Sequence, residues 1–288
     1  MSVATKPDYL GPNAYTRIPA AANGTYGYKP SFGLLPMFGY ANSNWAGMNT
    51  GVPAVLGPLA NSARDLTFLT RVVRDAKPWL GDPAIIPFIF EKGSSTRRPV
   101  IGIITQSGLT PHPPVRRAIL DARTKLQSAG FVVKDFIPPD FNDIRKITRE
   151  LFTLDGLSYA RQQLTKAGEP VVPSVQKIKF WDIPPKSMED AWAWNAKKIG
   201  MQKEMLDKWQ QAGIDVVIAP AGPHTAVLPG DWTFDTYTVV WNVMDVSTRC
   251  GILRVWKLMW WIVPCCDYPV CQSGPGQGFK GRAFRRDV

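Results

Sequence analysis

The stretch VIGIITQSGLTPHPPVRRAILDARTKLQSAGFVVKDF, residues 100–136, decides the fold class of this chain. It begins with Val100–Thr105, a continuous apolar run of strand length. Pro113 then opens an amphipathic helix that Gly130 closes, and Phe131–Phe136 has the composition of a second strand. A strand, a helix and a strand at this spacing predict a βαβ crossover, hence neighbouring parallel strands with helix cover.

The flanking sequence extends this pattern in both directions. Helical periodicity is present at Ser62–Ala76, Asn142–Lys166 and Ser187–Ala212, and Asp215–Ala219 has the composition of a buried strand. Residues 1–60 are rich in Gly, Pro and Asn without a sustained helical period, so we expect mostly loops and short extended pieces there. The predicted fold is therefore α/β, a mixed sheet with parallel βαβ elements covered by helices.

The formal charge of +11 arises from 34 Lys plus Arg against 23 Asp plus Glu in 288 residues. Residues 246–288 hold seven basic and two acidic residues and so carry +5, while the rest shows no basic stripe. We therefore predict no nucleic-acid partner. All four cysteines lie in the same segment, which fits a reducing compartment. Met1–Leu10 lacks the apolar run of a secretory signal, so we expect a cytoplasmic protein.

Two candidate catalytic signals are weak. His112 and His224 lie beside prolines, far apart in sequence, and offer no metal-binding spacing. We therefore predict neither a metal site nor a cofactor. Ser94 and Ser95 invite a nucleophile hypothesis, but they lie in a basic polar loop without a nucleophile-elbow motif. An ordinary surface turn is the favoured interpretation.

Two long segments carry a specific family resemblance. Residues 17–33 read RIPAAANGTYGYKPSFG, and residues 57–66 read GPLANSARDL, with Asn61 in place of a usual basic residue. These segments resemble the amidase signature family, whose corresponding motifs are RIPAxxxGxYGxKPSxG and GPLARSxxDL. Residues 76–83, AKPWLGDP, are similar to the fungal acetamidase or general-amidase branch. The late strand and its proline-rich loop at residues 215–224 fit as well, so the resemblance covers about 17–245.

The resemblance implies a serine hydrolase that cleaves carboxamides with a Ser–cis-Ser–Lys triad, with a small-molecule amide as substrate. In the family the nucleophilic serine stands two residues before the arginine of RIPA, where this chain has Tyr15. Asn13 and Ala14 replace the paired glycines that let backbone N–H groups face an oxyanion. The family's lysine and cis-serine match nothing here. We therefore expect no catalytic residues, a truncated amidase that lacks its N-terminal catalytic half, and an inactive or strongly impaired protein.

The end of the chain departs from the family. The motif Trp241–Asp245 is followed by 21 unrelated residues, 246–266, before Asp267 resumes a family-like DYP sequence. We hypothesise that this insert is a translated intron. The domain prediction is a partial amidase-signature domain at 1–245, with resemblance from 17, and a non-homologous basic, Cys- and Trp-containing tail at 246–288.

Two other functions stay open. One is a non-catalytic binding or scaffold protein, that is, a pseudoenzyme. The other is docking of the basic tail on a membrane surface, for which Ile252–Val263 with Arg254 and Lys257 could form an amphipathic helix. The twelve apolar-rich residues are too few for a bilayer span. Membrane binding is thus the less favoured hypothesis, and the oligomeric state is not predicted.

Overall fold

The computed structural model describes residues 16–40, 45, 47–87, 97–177, 181, 183–225, 227–228, 231, 234–251 and 259–262. The helices are α1 Arg17–Asn23, α2 Ala63–Asp75, α3 Pro113–Ser128, α4 Phe141–Phe152, α5 Ser158–Ala167, α6 Pro173–Lys177, α7 Met188–Ala212 and α8 Thr236–Val243. The strands are β1 Tyr26–Lys29, β2 Leu59–Ala60, β3 Ile101–Ile103, β4 Val133–Asp135, β5 Val216–Pro220, β6 Thr248–Gly251 and β7 Met259–Ile262.

The described strands form one mixed sheet in the order β2-β1-β6-β7-β5-β3-β4. Strand β3 pairs in parallel with β4 on one side and with β5 on the other, so that Ile101 lies opposite both Val133 and Val216. The other pairings are antiparallel. Because α3 connects β3 to β4, the predicted βαβ crossover is confirmed, and with it the α/β fold class.

Side chains on β5 alternate between two buried layers. Val216 and Ile218 pack with Ile119 of α3, whereas Val217 and Ala219 belong to the larger core built with α4, α7 and α8. All five residues of β5 are buried, which explains why this strand is apolar throughout rather than alternating. Each fully buried Val or Ile contributes about 1.5–3 kcal/mol of hydrophobic stabilisation.

Local helix signals account for the ends of two predicted helices. Ser62 accepts a hydrogen bond from the Asp65 N–H at the start of α2. Ser187 and Asp190 form a complete capping box at the start of α7, and Gly213 ends that helix in the left-handed conformation, φ 57°. These caps confirm the predictions for Ser62–Ala76 and Ser187–Ala212.

Two predictions of secondary structure need correction. The helix predicted over 142–166 is two helices, because Gly156 and Leu157 take positive φ values of 61° and 58° between α4 and α5. Asp155 fixes that turn by accepting hydrogen bonds from the backbone N–H groups of Leu157 and Tyr159. In the region predicted to be mostly loops, α1 packs on β1. Helix α1 has seven residues, too few to display a period.

The sheet continues past the predicted boundary at residue 245. Strand β6 pairs with β1, strand β7 pairs with β5, and the two pair with each other. The structure thus describes part of the predicted tail as strands of the same sheet. The division into 1–245 and 246–288, and the intron hypothesis, stay predictions.

Asp82 ties two loops together near the start of the chain. Its carboxylate accepts hydrogen bonds from the backbone N–H groups of Met37, Phe38 and Ala84, at 2.7, 2.9 and 2.9 Å. These bonds, led by the one from Ala84, lower the pKa of Asp82 against the opposing effect of its burial. The ionised carboxylate therefore stabilises the fold.

We expect Asp82→Asn to lower the free energy of unfolding at neutral pH. A lowered native pKa gives stability above the unfolded pKa, about 3.9, that is lost as the pH falls through the native value. The difference in free energy of unfolding between the wild type and Asp82→Asn should therefore become smaller as the pH falls. Urea denaturation between pH 7 and pH 3 measures it, with Asp75→Asn, an exposed carboxylate bonded to Arg74, as control. A gap independent of pH would contradict this role.

Candidate functional site

The resemblance predicts the family's nucleophile position at residue 15, one residue before Thr16, where the described part of the chain begins. Tyr15, like Asn13 and Ala14, lies outside the described residues. Thr16 is described and buried, and its carbonyl accepts the first hydrogen bond of α1 from Ala20 N–H at 3.1 Å. The described part of the motif therefore begins with Thr16 held at the start of α1.

Two glycines of the motifs allow α1 and its neighbours to approach β1. A Cβ on Gly27 would lie 2.5 Å from the Thr16 carbonyl oxygen and 2.9 Å from the Ala20 Cβ. A Cβ on Gly57 would lie 1.8 Å from the Tyr28 carbonyl oxygen. Contacts this short exclude any side chain at either position without backbone movement. The motif glycines are therefore needed to seat Thr16 against the sheet.

Arg17 anchors α1 through its buried side chain. Its side chain is fully buried, with 0% exposure, which is rare for a guanidinium and requires hydrogen-bond partners. One terminal nitrogen donates to Thr248 Oγ1 at 3.2 Å, and the other donates to Asn242 Oδ1. The residue directly after Thr16 is thus bonded to the end of α8 and to the start of β6.

A second set of buried polar contacts joins the other end of the motif to the same segment. Lys29 Nζ donates to the carbonyl oxygens of Pro30 and Val246 at 2.9 and 3.3 Å and lies 3.5 Å from Asp245 Oδ1. Ser31 Oγ donates to the Asp245 carbonyl oxygen at 2.8 Å. Asp245 has φ 48°, a left-handed conformation that Asp tolerates better than most residues. Residues 29–31, KPS, therefore hold the chain in place at residues 245 and 246.

Among the described residues, Lys29 and Lys198 both lie close enough to Asp245 for their charges to interact. Lys198 of α7 donates to the Gly51 carbonyl oxygen at 2.6 Å, and burial lowers the pKa of its ammonium while the charge of Asp245 opposes that shift. The amines of Lys29 and Lys198 both donate to backbone carbonyl oxygens. These contacts hold Lys29 against the chain at Val246 and α7 against the loop at Gly51.

The structure brings together two loops that sequence distance separates. His112 N–H donates to the Pro223 carbonyl oxygen at 2.7 Å, beside His224. His112 is exposed, whereas His224 is buried and its Nδ1 lies 3.1 Å from the Thr225 carbonyl oxygen. Among the residues that the structure describes, no three His, Cys, Asp or Glu side chains group as metal ligands would.

Other predicted features concern residues that the structure does not describe. Ser94, Ser95 and residues 252–258 lie outside the described residues. None of the helices in the described ranges combines the length and apolar composition that a bilayer crossing demands.

The anchor residues were the part of the site that sequence reasoning missed. Arg17 and Lys29 belong to a family motif, but nothing in the neighbouring sequence distinguishes a buried cation from an exposed one. Their partners Asn242 and Asp245 lie more than 200 positions away in sequence. The signal that could have found them is the unusual chemistry of a motif rich in glycine and alanine that nonetheless keeps two cations.

Comparison with known proteins identifies relatives for most of the chain. The family profile described as Amidase matches residues 16–268. An acetamidase of Aspergillus oryzae is 27% identical over 249 residues, which are 81% of this chain and 45% of that protein. Amidase 2 of Gibberella moniliformis is 30% identical over 237 residues, 80% of this chain and 43% of that protein. The chain spans less than half the length of these curated relatives.

Solved structures support the same architecture. A fatty acid amide hydrolase superposes with a TM-score of 0.79 at 21% identity, covering 87% of this chain and 51% of that one. A bacterial aryl acylamidase of the amidase signature family superposes with a TM-score of 0.63 at 18% identity, covering 88% and 57%. At these identities the likeness establishes the fold alone.

We expect removal of the acceptor Asn242 alone to destabilise the protein more than removal of Asn242 and Arg17 together. Asn242→Leu should destabilise the protein by about 2–4 kcal/mol, because it leaves a buried guanidinium short of an acceptor. Adding Arg17→Met removes that charge, so the double variant should be more stable than Asn242→Leu alone. Urea denaturation of the wild type, both single variants and the double variant measures the cycle. A double variant less stable than Asn242→Leu would contradict the anchor.

Proposed function

Because this chain belongs to the amidase signature family, we propose that its architecture is that of a hydrolase of carboxamide C–N bonds, and that the chain itself turns over amides weakly or not at all. The parent reaction yields a carboxylate and ammonia or an amine. The observation that carries the first half is the match over residues 16–268, which includes the Arg17 anchor two residues after the family's nucleophile position.

The choice of substrate class follows the relatives. Curated relatives that match about four fifths of this chain carry the names acetamidase and amidase, and the sequence AKPWLGDP at residues 76–83 resembles that branch. We therefore propose small or aliphatic carboxamides as the ligand class of the parent enzyme. A small-molecule amide needs no cofactor for hydrolysis by a serine nucleophile.

The second half of the proposal rests on Tyr15. A phenol reaches much farther than a serine hydroxyl and needs a base to ionise it, and no residue of the printed sequence matches the family's lysine or bridging serine. Losing one member of a serine-hydrolase triad costs about 10⁴–10⁶ in rate. With the nucleophile replaced, a pseudoenzyme that binds amides without cleaving them is the alternative that the same residue favours.

Ammonia release from acetamide and benzamide by the purified full chain tests the proposal. We expect wild-type rates that do not exceed those of the heat-denatured protein. Tyr15→Ser restores a hydroxyl of the right length but no activating groups, so we expect it to remain at least ~10³-fold below an intact serine amidase.

Matched variants give the assay its control. Tyr15→Phe and Tyr40→Phe each remove one phenolic hydroxyl, and Tyr40 is an exposed loop residue outside the candidate site. Robust wild-type turnover that Tyr15→Phe abolishes and Tyr40→Phe preserves would make Tyr15 a nucleophile and overturn the proposal. Saturable binding of acetamide without ammonia release would support the pseudoenzyme alternative.

A further inference from the structure

A cleft lies between the start of α5 and the loop that leads into α7. Its volume is about 500 Å³, which is within the range of small-molecule sites. The lining is mostly apolar and includes Ser158, Arg161, Trp181, Ile183, Pro184 and Pro185. These residues differ from the ones that hold α1 on the sheet, so the cleft is separate from the candidate site.

The two walls of the cleft are fixed to each other. Lys186 N–H donates to the Leu154 carbonyl oxygen at 2.9 Å, and Lys186 Nζ lies 2.9 Å from Glu150 Oε2. A Cβ on Gly156 would lie 2.6 Å from the Pro185 nitrogen, so the turn before α5 packs directly on the proline wall. Because proline fixes its own φ, that wall is rigid, and a ligand would lose little affinity to ordering it.

Arg161 lies across the cleft and bonds to both walls. Its Nε donates to the Gly156 carbonyl oxygen at 3.4 Å, and its Nη2 donates to the Trp181 carbonyl oxygen. Its Cζ lies 4.7 Å from the centroid of the Trp181 ring, a cation–π contact. A guanidinium has five N–H donors, and within the described part of the chain nothing accepts from Nη1. Donors of Arg161 therefore remain for a ligand.

The carboxylate in the lining does not cancel this charge. Asp155 accepts hydrogen bonds from the backbone N–H groups of Leu157 and Tyr159 and from Ser158 Oγ, at 2.9, 3.1 and 3.1 Å. These donors are at the start of α5, where the helix dipole favours a negative charge. Asp155 is thus compensated by its own helix, and Arg161 gives the cleft its affinity for an anion.

We propose that this cleft binds a small monocarboxylate with a flat apolar body, of the arylacetate class. The carboxylate accepts charge-assisted hydrogen bonds from Arg161, which are stronger than those to a neutral acceptor. The ring packs against Trp181, Ile183 and the two prolines, whose apolar surfaces suit an aromatic group. This inference does not depend on the proposed catalytic state, since it uses no residue of the family motifs.

Calorimetric titration of the full chain with phenylacetate tests the proposal. A ligand of this size with one charged contact should bind with a dissociation constant of about 0.1–1 mM. 2-Phenylethanol keeps the ring without the charge, and acetate keeps the charge without the ring. Each should bind at least about tenfold more weakly than phenylacetate. Equal binding of either analogue, or no binding of phenylacetate up to about 10 mM, would overturn the proposal.

A filling substitution assigns the binding to the cleft. Ile183→Trp adds bulk to the lining while leaving Arg161 and its contacts in place, so it should weaken phenylacetate binding at least about tenfold. Ile137→Trp makes the same change at an 81% exposed isoleucine after β4 and should leave binding unchanged. Phenylacetate that binds Ile183→Trp as tightly as the wild type would occupy some other site, and the proposal would be wrong.

A second pair of variants tests the cation. Arg161→Gln should weaken phenylacetate binding at least about tenfold, whereas Lys166→Gln removes another exposed cation from the same helix and should have little effect. Equal losses in the two variants would indicate general attraction of anions to a chain of charge +11 and would contradict a specific site. Binding unchanged in Arg161→Gln would likewise overturn the role of this guanidinium.

Discussion

A buried guanidinium is the constraint on which the arrangement of this structure depends. Taking Arg17 out of water is costly, and hydrogen bonds accepted by Asn242 and Thr248 help to offset that cost. Those partners are 225 and 231 positions away in sequence. One side chain thus fixes the start of the described chain against the end of α8 and the edge of β6.

The residue types of the surrounding motif follow from that placement. Positions 27 and 57 require glycine, because the carbonyl oxygens of Thr16 and Tyr28 occupy the space that a Cβ would need. Like Arg17, Lys29 and Ser31 donate hydrogen bonds to a distant part of the chain. Their acceptors are the carbonyl oxygens of Val246 and Asp245. The residues of the motif are therefore those that hold a short helix on a sheet.

The parts of the fold that sequence could predict are those determined by nearby residues. The βαβ unit, the caps at Ser62 and Ser187 and the buried β5 all have local signals of periodicity or capping. Helix α1 could not be predicted from periodicity, since seven residues are held as a helix by the Arg17 contact and by Gly24 at their end. The pairing of β6 with β1 is likewise non-local. The sequence predicts no catalytic residues and places Tyr15 at the family's nucleophile position, whereas the Arg17 anchor beside it depends on residues 225 and 231 positions away.

Amide hydrogen exchange followed by mass spectrometry tests the central claim, that the Arg17 anchor holds α1 and β1 on the sheet. The account predicts slow exchange for peptides covering residues 20–29 in the wild type. In Asn242→Leu these peptides should exchange much faster, while those from β3 and α3 stay protected, because the βαβ unit makes no use of the anchor. Rapid exchange of residues 20–29 in the wild type, or protection unchanged in Asn242→Leu, would contradict it.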